Sequence, residues 1–370
     1  MTGIRSLHKL KLLPNSRIMR VDWSPQTVRN DEMQVLNRAF LIVPFLNEAE
    51  SLPDMLQSIA AQSVAPETIF LVAVDSGSSD SGPAIVRNFI AHGPIDGVIL
   101  RSDVRSIPAA LNTGFRWVGD QGLAVRLDAH TIYDPAYLPT IIDAFAQRQE
   151  SIWCVGGAQT PEPATDFGRA VVAAFMTNPI GLGFSPHRFA REPRLVNNVY
   201  LGAFRPGVIA KVGFFDERWR ANEDSEIMAR IVEAGGEILW LPIKSKYRIN
   251  RGPMATLRQW SRYGFWRAQT IKRHPKTLGI RHLIPPIALS LGLALIISPW
   301  RSALLPLIGI YALAIVLLRP SAEAPLVSAA SIIYFPIAHT LNALGLIAGM
   351  LTPLPTERLK DVGRDVAQRT

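Results

Sequence analysis

The sequence predicts an α/β domain, followed by a membrane-embedded helical region. Three observations predict it. Apolar runs of strand length stop abruptly at polar residues: Phe40-Leu-Ile-Val-Pro-Phe45 runs into Asn47-Glu48, and Ile69-Phe-Leu-Val-Ala-Val74 into Asp75. Between them, Leu52, Met55, Leu56 and Ile59 recur at helical spacing. Late in the chain, residues 282–300, 302–318 and 324–356 contain no Asp, Glu, Lys or Arg.

Residues 39–75 thus read as strand, turn, helix, strand. Both strands deliver polar residues to one sheet edge, where open α/β folds bind ligands. In Val72-Ala-Val-Asp-Ser-Gly-Ser-Ser-Asp80, Gly77 and the serines permit a tight turn beside such a ligand. Asp80 reads equally as a site residue and as the cap of a helix running from Pro83 through Val86 and Phe89. Leu123-Ala-Val-Arg-Leu-Asp-Ala-His130 reads as a third strand, whose end sets Asp128 and His130 one residue apart, able to face one cation or diphosphate. A turn cap before Thr131 is the other reading of Asp128. Glu223 and Asp224 open a helical pattern continued by Ile227, Met228, Ile231 and Val232, a position that also lets two acids offset a helix dipole.

Taken together, Val43-Pro44-x-x-Asn47-Glu48, Val74-Asp75-Ser76-Gly77-Ser78-x-Asp80, Asp128-Ala-His130, Gly213-Phe-Phe-Asp216 and Asn222-Glu223-Asp224 resemble the motif series of the family 2 glycosyltransferases. The likeness spans roughly residues 38–270, and is closest to the membrane-anchored enzymes of exopolysaccharide and succinoglycan assembly. It implies a GT-A fold, with a Rossmann-like mixed sheet, and inverting transfer of a hexose from a nucleoside-diphosphate sugar, a UDP-sugar by preference. Pro44, Asn47, Glu48, Asp75, Ser76 and Asp128 then match positions that line the nucleotide-sugar pocket. Asp224, with Glu223 beside it, matches the general base that takes the acceptor proton. Asp128 is the implied ligand of Mn²⁺ or Mg²⁺. His130 stands where most members have a second Asp, which tilts the preference toward Mn²⁺ and leaves metal, phosphate or acceptor as its partner. Gln259-Trp-Ser-Arg262-Tyr263 echoes the Gln-x-x-Arg-Trp motif of processive synthases, with Tyr for the final Trp. Gln259, Arg262 and Tyr263 are therefore candidates for acceptor or diphosphate contact, while the same stretch also reads as an interfacial helix.

A chain of 370 residues with 48% hydrophobic content can build one large α/β domain and still spare apolar segments. The expected organisation is a basic N-terminal extension at 1–37, a catalytic domain at 38–250, an amphipathic region at 251–282, about three membrane segments within 283–354 and a polar tail at 355–370. The third run, long enough to cross, bend or re-enter, leaves the count of spans open. Between Lys244 and Arg281 stand eleven Lys or Arg residues and no acid, more than the net charge of +9 for the whole chain. A basic flank before the first span predicts a multi-pass protein of the cytoplasmic (inner) membrane with its catalytic domain in the cytoplasm. Charge concentrated there points to membrane and not to nucleic acid as partner. The N-terminus lacks the apolar core of a signal peptide, and a single cysteine, Cys154, excludes an intrachain disulfide. His274 and His282 lack a partner motif and are expected at surfaces or interfaces. His339 and Asn342, inside an apolar run, are expected to face protein or a cavity.

The expected acceptor is a polyprenyl-diphosphate-linked saccharide. A processive polysaccharide synthase and a polyprenyl-phosphate sugar synthase are the neighbouring readings. A silent membrane scaffold is the non-enzymatic one, opposed by the joint presence of Asp75, Asp128 and Asp224.

Overall fold

The structure is a computed structural model and describes Leu36 and residues 38–147, 150–162, 166–182, 192–249, 251–319 and 324–355. Almost all of the expected N-terminal extension and polar tail lies outside these residues.

Each apolar run forms a strand. β1 (Ala39–Phe45), β2 (Ile69–Asp75), β3 (Asp96–Arg101) and β4 (Leu123–Arg126) run parallel in the order β3-β2-β1-β4. The sheet continues through β8 (Tyr200–Phe204), β6 (Ile152–Pro161), β9 (Glu237–Tyr247) and β5 (Thr131–Tyr133), while β7 (Arg194–Val196) pairs with β9. β8 is antiparallel to both β4 and β6, which makes the sheet mixed. β1 and β4 are neighbours although the chain leaves β1 toward β2, so their C-terminal ends flank a topological switch point, where α/β sheets open a crevice.

The central strands are buried on both faces, which is why they read as unbroken apolar runs. One face packs on α1 (Leu52–Ala60), α2 (Gly82–His92) and α4 (Tyr137–Gln147) through Leu52, Met55, Val86, Leu138 and Phe145. The other carries α3 (Ile107–Val118), the short α7 (Val208–Val212) and α8 (Glu223–Glu233), with Leu111, Phe115, Ile227 and Ile231 in the core.

A second body of helices follows. α5 (Phe167–Thr177) and the single turn α6 (Pro179–Leu182) reach toward α9 (Pro253–Arg273), α10 (Ile280–Ile297), α11 (Leu304–Leu317) and α12 (Pro325–Leu351). Val172, Phe175, Leu257, Ile315, Tyr334 and Phe335 form a separate core that joins α5, α9, α11 and α12. α9 and α12 approach backbone to backbone. A Cβ on Gly264 would lie 2.0 Å from the Asn342 carbonyl oxygen, and one on Gly345 2.0 Å from that of Ser261. Only glycine fits such a contact. The aromatic residues of α9 accordingly point into protein: Trp260 packs on Phe175, and Trp266 on Trp219.

Two helices, α10 and α12, are long and apolar enough to cross a membrane. α11, with 14 residues, rises only about 21 Å against a hydrocarbon core of about 30 Å. The third apolar run forms one continuous helix of 27 residues with Pro336 inside it, not a re-entrant pair. His339 and Asn342 face protein as expected: the His339 ring bonds Gly181 and Tyr311, and Asn342 Nδ2 donates to the Trp260 carbonyl at 3.0 Å. The expectation for His274 needs correction. It is buried between α8 and α9, with Nδ1 2.8 Å from Glu233 and Nε2 3.5 Å from Glu226.

Candidate functional site

The loops after β1 and β2 lock onto each other. Asn47 adopts a left-handed backbone (φ 55°), which an Asn tolerates better than most residues. Its Oδ1 accepts from the Ser79 amide (2.8 Å), and its own amide donates to Ser78 Oγ (3.0 Å). Asp80 completes the clasp, accepting from the Ala49 amide at 2.8 Å and the Gly82 amide at 2.9 Å. Its carboxylate thus ties the two loops and binds the first amide of α2, whose N-cap is Ser81 and not Asp80. Asp75 Oδ1 accepts from the amides of Gly77 (3.1 Å) and Ser78 (2.8 Å), and Gly77 takes the positive φ of 87° that the turn requires. Asn47, Asp75 and Asp80 therefore shape the loops, while Pro44, Glu48 and Ser76 line the cavity beside them.

That cavity, of about 1570 Å³, opens at the switch point and is walled by Asp128, His130, Glu223 and Asp224 on one side and by Gln259, Arg262 and Tyr263 of α9 on another. At its centre is a cation that sequence reasoning missed. The Arg126 guanidinium lies 3.1 Å from Glu223 and 3.8 Å from Asp128. Burial disfavours its charge, but Glu223, Asp128 and Asp224 together more than offset this and hold it protonated. Burial pushes the Glu223 carboxyl upward, against the pull of Arg126 and with the help of Asp224. Tyr200, also unforeseen, donates to Asp128 Oδ2 at 3.0 Å, which leaves the Thr131 hydroxyl, 3.2 Å away, as donor to the tyrosine oxygen.

Residues 40–195 match the family model described as "Glycosyl transferase family 2". The chain carries a family 2 glycosyltransferase domain. Succinoglycan biosynthesis protein ExoA of Rhizobium meliloti (strain 1021) is 28% identical over 283 residues, 75% of this chain and 83% of that protein. A mannosyltransferase from Pyrobaculum calidifontis, solved with GDP-Man and Mn²⁺, superposes with a TM-score of 0.53 at 17% identity, covering 85% of this chain and 87% of that one. The likeness establishes the GT-A fold, and the protein is a glycosyltransferase.

In this glycosyltransferase the Asn-Glu-Asp motif lies at the start of α8. Asn222 again takes a left-handed backbone (φ 59°), its Nδ2 donates to the Tyr263 carbonyl (3.1 Å), and its Oδ1 accepts from Arg267 (3.1 Å). Arg267 also donates to Ser225 Oγ at 3.0 Å. Burial pulls the Arg267 pKa down to about 10, while Asp224 pulls it the other way. Asp224 Oδ1 accepts from the Ser225 amide at 2.7 Å, and the residue lines the cavity. Gln259 Nε2 hydrogen-bonds the Tyr263 hydroxyl.

His130 Nδ1 is 3.1 Å from Glu48 Oε1. Burial works against the imidazolium, yet this bond and the charges of Asp128 and Glu48 raise its pKa overall. Among the described residues no three His, Cys, Asp or Glu side chains converge as a metal cluster. The donor set fits a divalent cation all the same: Asp128 and His130 both line the cavity, and such a pair needs its shell completed by diphosphate oxygens. A protonated His130 would instead meet the phosphates directly.

Arg126 stands in the sequence as a lone cation in an otherwise apolar strand, which marks it as unusual but names none of its partners. Tyr200 and Arg267 carry no local signal, because tertiary contacts alone bring them to Asp128 and to Ser225.

Proposed function

We propose that this glycosyltransferase moves a hexose, with inversion, from a nucleoside-diphosphate sugar to a polyprenyl-diphosphate-linked saccharide in exopolysaccharide or other cell-surface glycan assembly. One observation carries the reading: the cavity that holds Asp128 and Asp224 continues without a break between the apolar helices α10, α11 and α12. The ExoA relative, a succinoglycan biosynthesis protein, and the mannosyltransferase, with its bound GDP-Man, support the pathway type and the donor class.

The loops after β1 and β2 hold the nucleotide, with a UDP-sugar favoured. Asp128, together with diphosphate oxygens, would hold a Mn²⁺ or Mg²⁺, which would supply positive charge to the departing diphosphate. The acceptor hydroxyl attacks the anomeric carbon from the face opposite that leaving group. A C–O bond forms there, the bond to the diphosphate breaks, and Asp224 receives the hydroxyl proton. Arg126 keeps Glu223 paired, so Asp224 is the carboxylate left to act as base. Gln259, Arg262 and Tyr263 border the acceptor side. The basic stretch before α10 keeps this domain at the cytoplasmic face of the inner membrane.

The test is a donor screen in membrane fractions with radiolabelled UDP- and GDP-sugars, followed by organic extraction. Label in the organic phase with one donor supports the reading, and label confined to the aqueous phase with every donor refutes it. EDTA abolishes that transfer and Mn²⁺ or Mg²⁺ restores it; transfer indifferent to EDTA would remove the metal from the account.

A further inference from the structure

Beyond the catalytic carboxylates the cavity changes character. Arg267 of α9 and Arg281 at the start of α10 line it, and the wall formed by α10 and α11 is mostly hydrocarbon, with Leu289 and Ile296 of α10 and Ile308 of α11, while Tyr311 and His339 add polar groups. Gly292 lies on the same α10 face, and a Cβ there would meet nothing within 4 Å. A glycine in a helix interior lowers stability by about 0.5–1 kcal/mol relative to alanine, and here no close backbone contact requires it. Gly292 leaves a groove open along α10. From Pro285 to Ile296 that groove follows about 16 Å of helix.

At the mouth, Arg267 is half-buried and lines the cavity, and both of its hydrogen bonds leave from Nη2. The remaining guanidinium donors are available to an anion beside Asp224. The seven arginines and four carboxylates that border the cavity leave it net positive, suiting an anion in addition to the charge that Asp128 and a metal serve.

We propose that the apolar arm between α10, α11 and α12 is the seat of the acceptor's isoprenoid tail, with its head phosphate on Arg267 and Arg281 and its reacting sugar turned back toward Asp224. The proposal rests on the lipid-linked reading above and adds the place, the polarity and the anchoring residues. Charge at the mouth and continuity with the catalytic cleft select a phosphate-headed amphiphile over a bare hydrocarbon. An isoprenoid chain is the one such tail that the lipid-linked reading supplies.

Calorimetry on the full-length protein in detergent tests it without relying on turnover. Farnesyl diphosphate is expected to bind at least about tenfold more tightly than inorganic pyrophosphate, since its methylenes leave water for the apolar arm. Gly292→Leu, which fills the groove without a clash, removes that advantage and leaves pyrophosphate binding as it was. Ile287→Trp, on α10 but outside the cavity wall, keeps the advantage. Arg267→Gln weakens both ligands. Equal affinity for the two diphosphates, an unaltered farnesyl advantage in Gly292→Leu, or displacement of farnesyl diphosphate by phosphatidylglycerol at equal concentration overturns the proposal. If labelled lipid forms in the donor screen while Gly292→Leu behaves as wild type, the tail site fails and the function stands. If no donor labels lipid, the functional reading itself fails.

Discussion

The seam between α9 and α12 and the hairpin of α10 and α11 look alike in sequence terms where they are apolar, yet they are packed in opposite ways. In α12, 39% of the most apolar stretch is buried inside the protein, against 0% in α10. Gly264, Gly345 and Gly349 let the α9 and α12 backbones touch, and Gln269 Nε2 donates to the Gly349 and Thr352 carbonyls at 2.8 and 3.1 Å. On the hairpin, Gly292 and Gly309 face open space. α12 is thus part of the body that positions the catalytic loops, because the Tyr263 carbonyl that fixes Asn222 lies one residue from a seam glycine. The hairpin presents Ile287, Leu305 and Ile310 outward, a surface suited to hydrocarbon. Hydropathy alone does not separate the two regions; the packing of their glycines does.

The strongest way to break this contrast is at the seam. Gly345→Ala forces a Cβ against the Ser261 carbonyl, and is expected to destabilise by about 3 kcal/mol or more, visible as aggregation or a large drop in thermal midpoint on size-exclusion chromatography. A wild-type midpoint would show that the two helices can separate freely.

A smaller effect sharpens the view that charge also ties α9 to the catalytic body. The bond to Glu226, with Glu233 adding to it, raises the His274 pKa against the opposing effect of burial. A raised histidine contributes stability in full below its unfolded value of about 6.5, and that contribution is lost as pH rises through the folded value. The wild-type midpoint should therefore fall by about 2–4 °C more than that of His274→Gln between about pH 6 and pH 9. Parallel profiles would mean that the ion pair contributes nothing. The smallest effect is on the hairpin, where Gly292→Ala should leave the midpoint unchanged or raise it slightly, in line with a stability gain of at most about 0.5–1 kcal/mol. A marked loss there would place α10 in a packed environment that its exposure denies.

Much of the site could be read in the sequence because strand ends announce themselves. β1, β2 and β4 are apolar runs that end at or beside Asn47, Asp75 and Asp128, and the switch point follows from their pairing. The helix opened by Glu223 and Asp224 was legible from its spacing. Arg126 was not, since a cation in a strand gives no sign that Glu223, nearly a hundred positions away, will bury it. Tyr200 and Arg267 reach the cavity from β8 and α9, through contacts with no local pattern. His274 was misjudged for the same reason: its partners, Glu226 and Glu233, sit on another helix. The length of α12 was legible, but its close approach to α9 depends on three glycine positions that only the paired helices reveal.

The central claim is that Asp224 removes the acceptor proton in the cavity that Arg126 organises. Asp224→Asn tests it most directly, with labelled transfer to lipid and nucleotide-sugar binding measured on the same membranes. The account predicts unchanged donor binding and a loss of transfer of about 10²–10⁴-fold, the usual contribution of general-base catalysis. Transfer at more than about half the wild-type rate, with donor still bound, would contradict it.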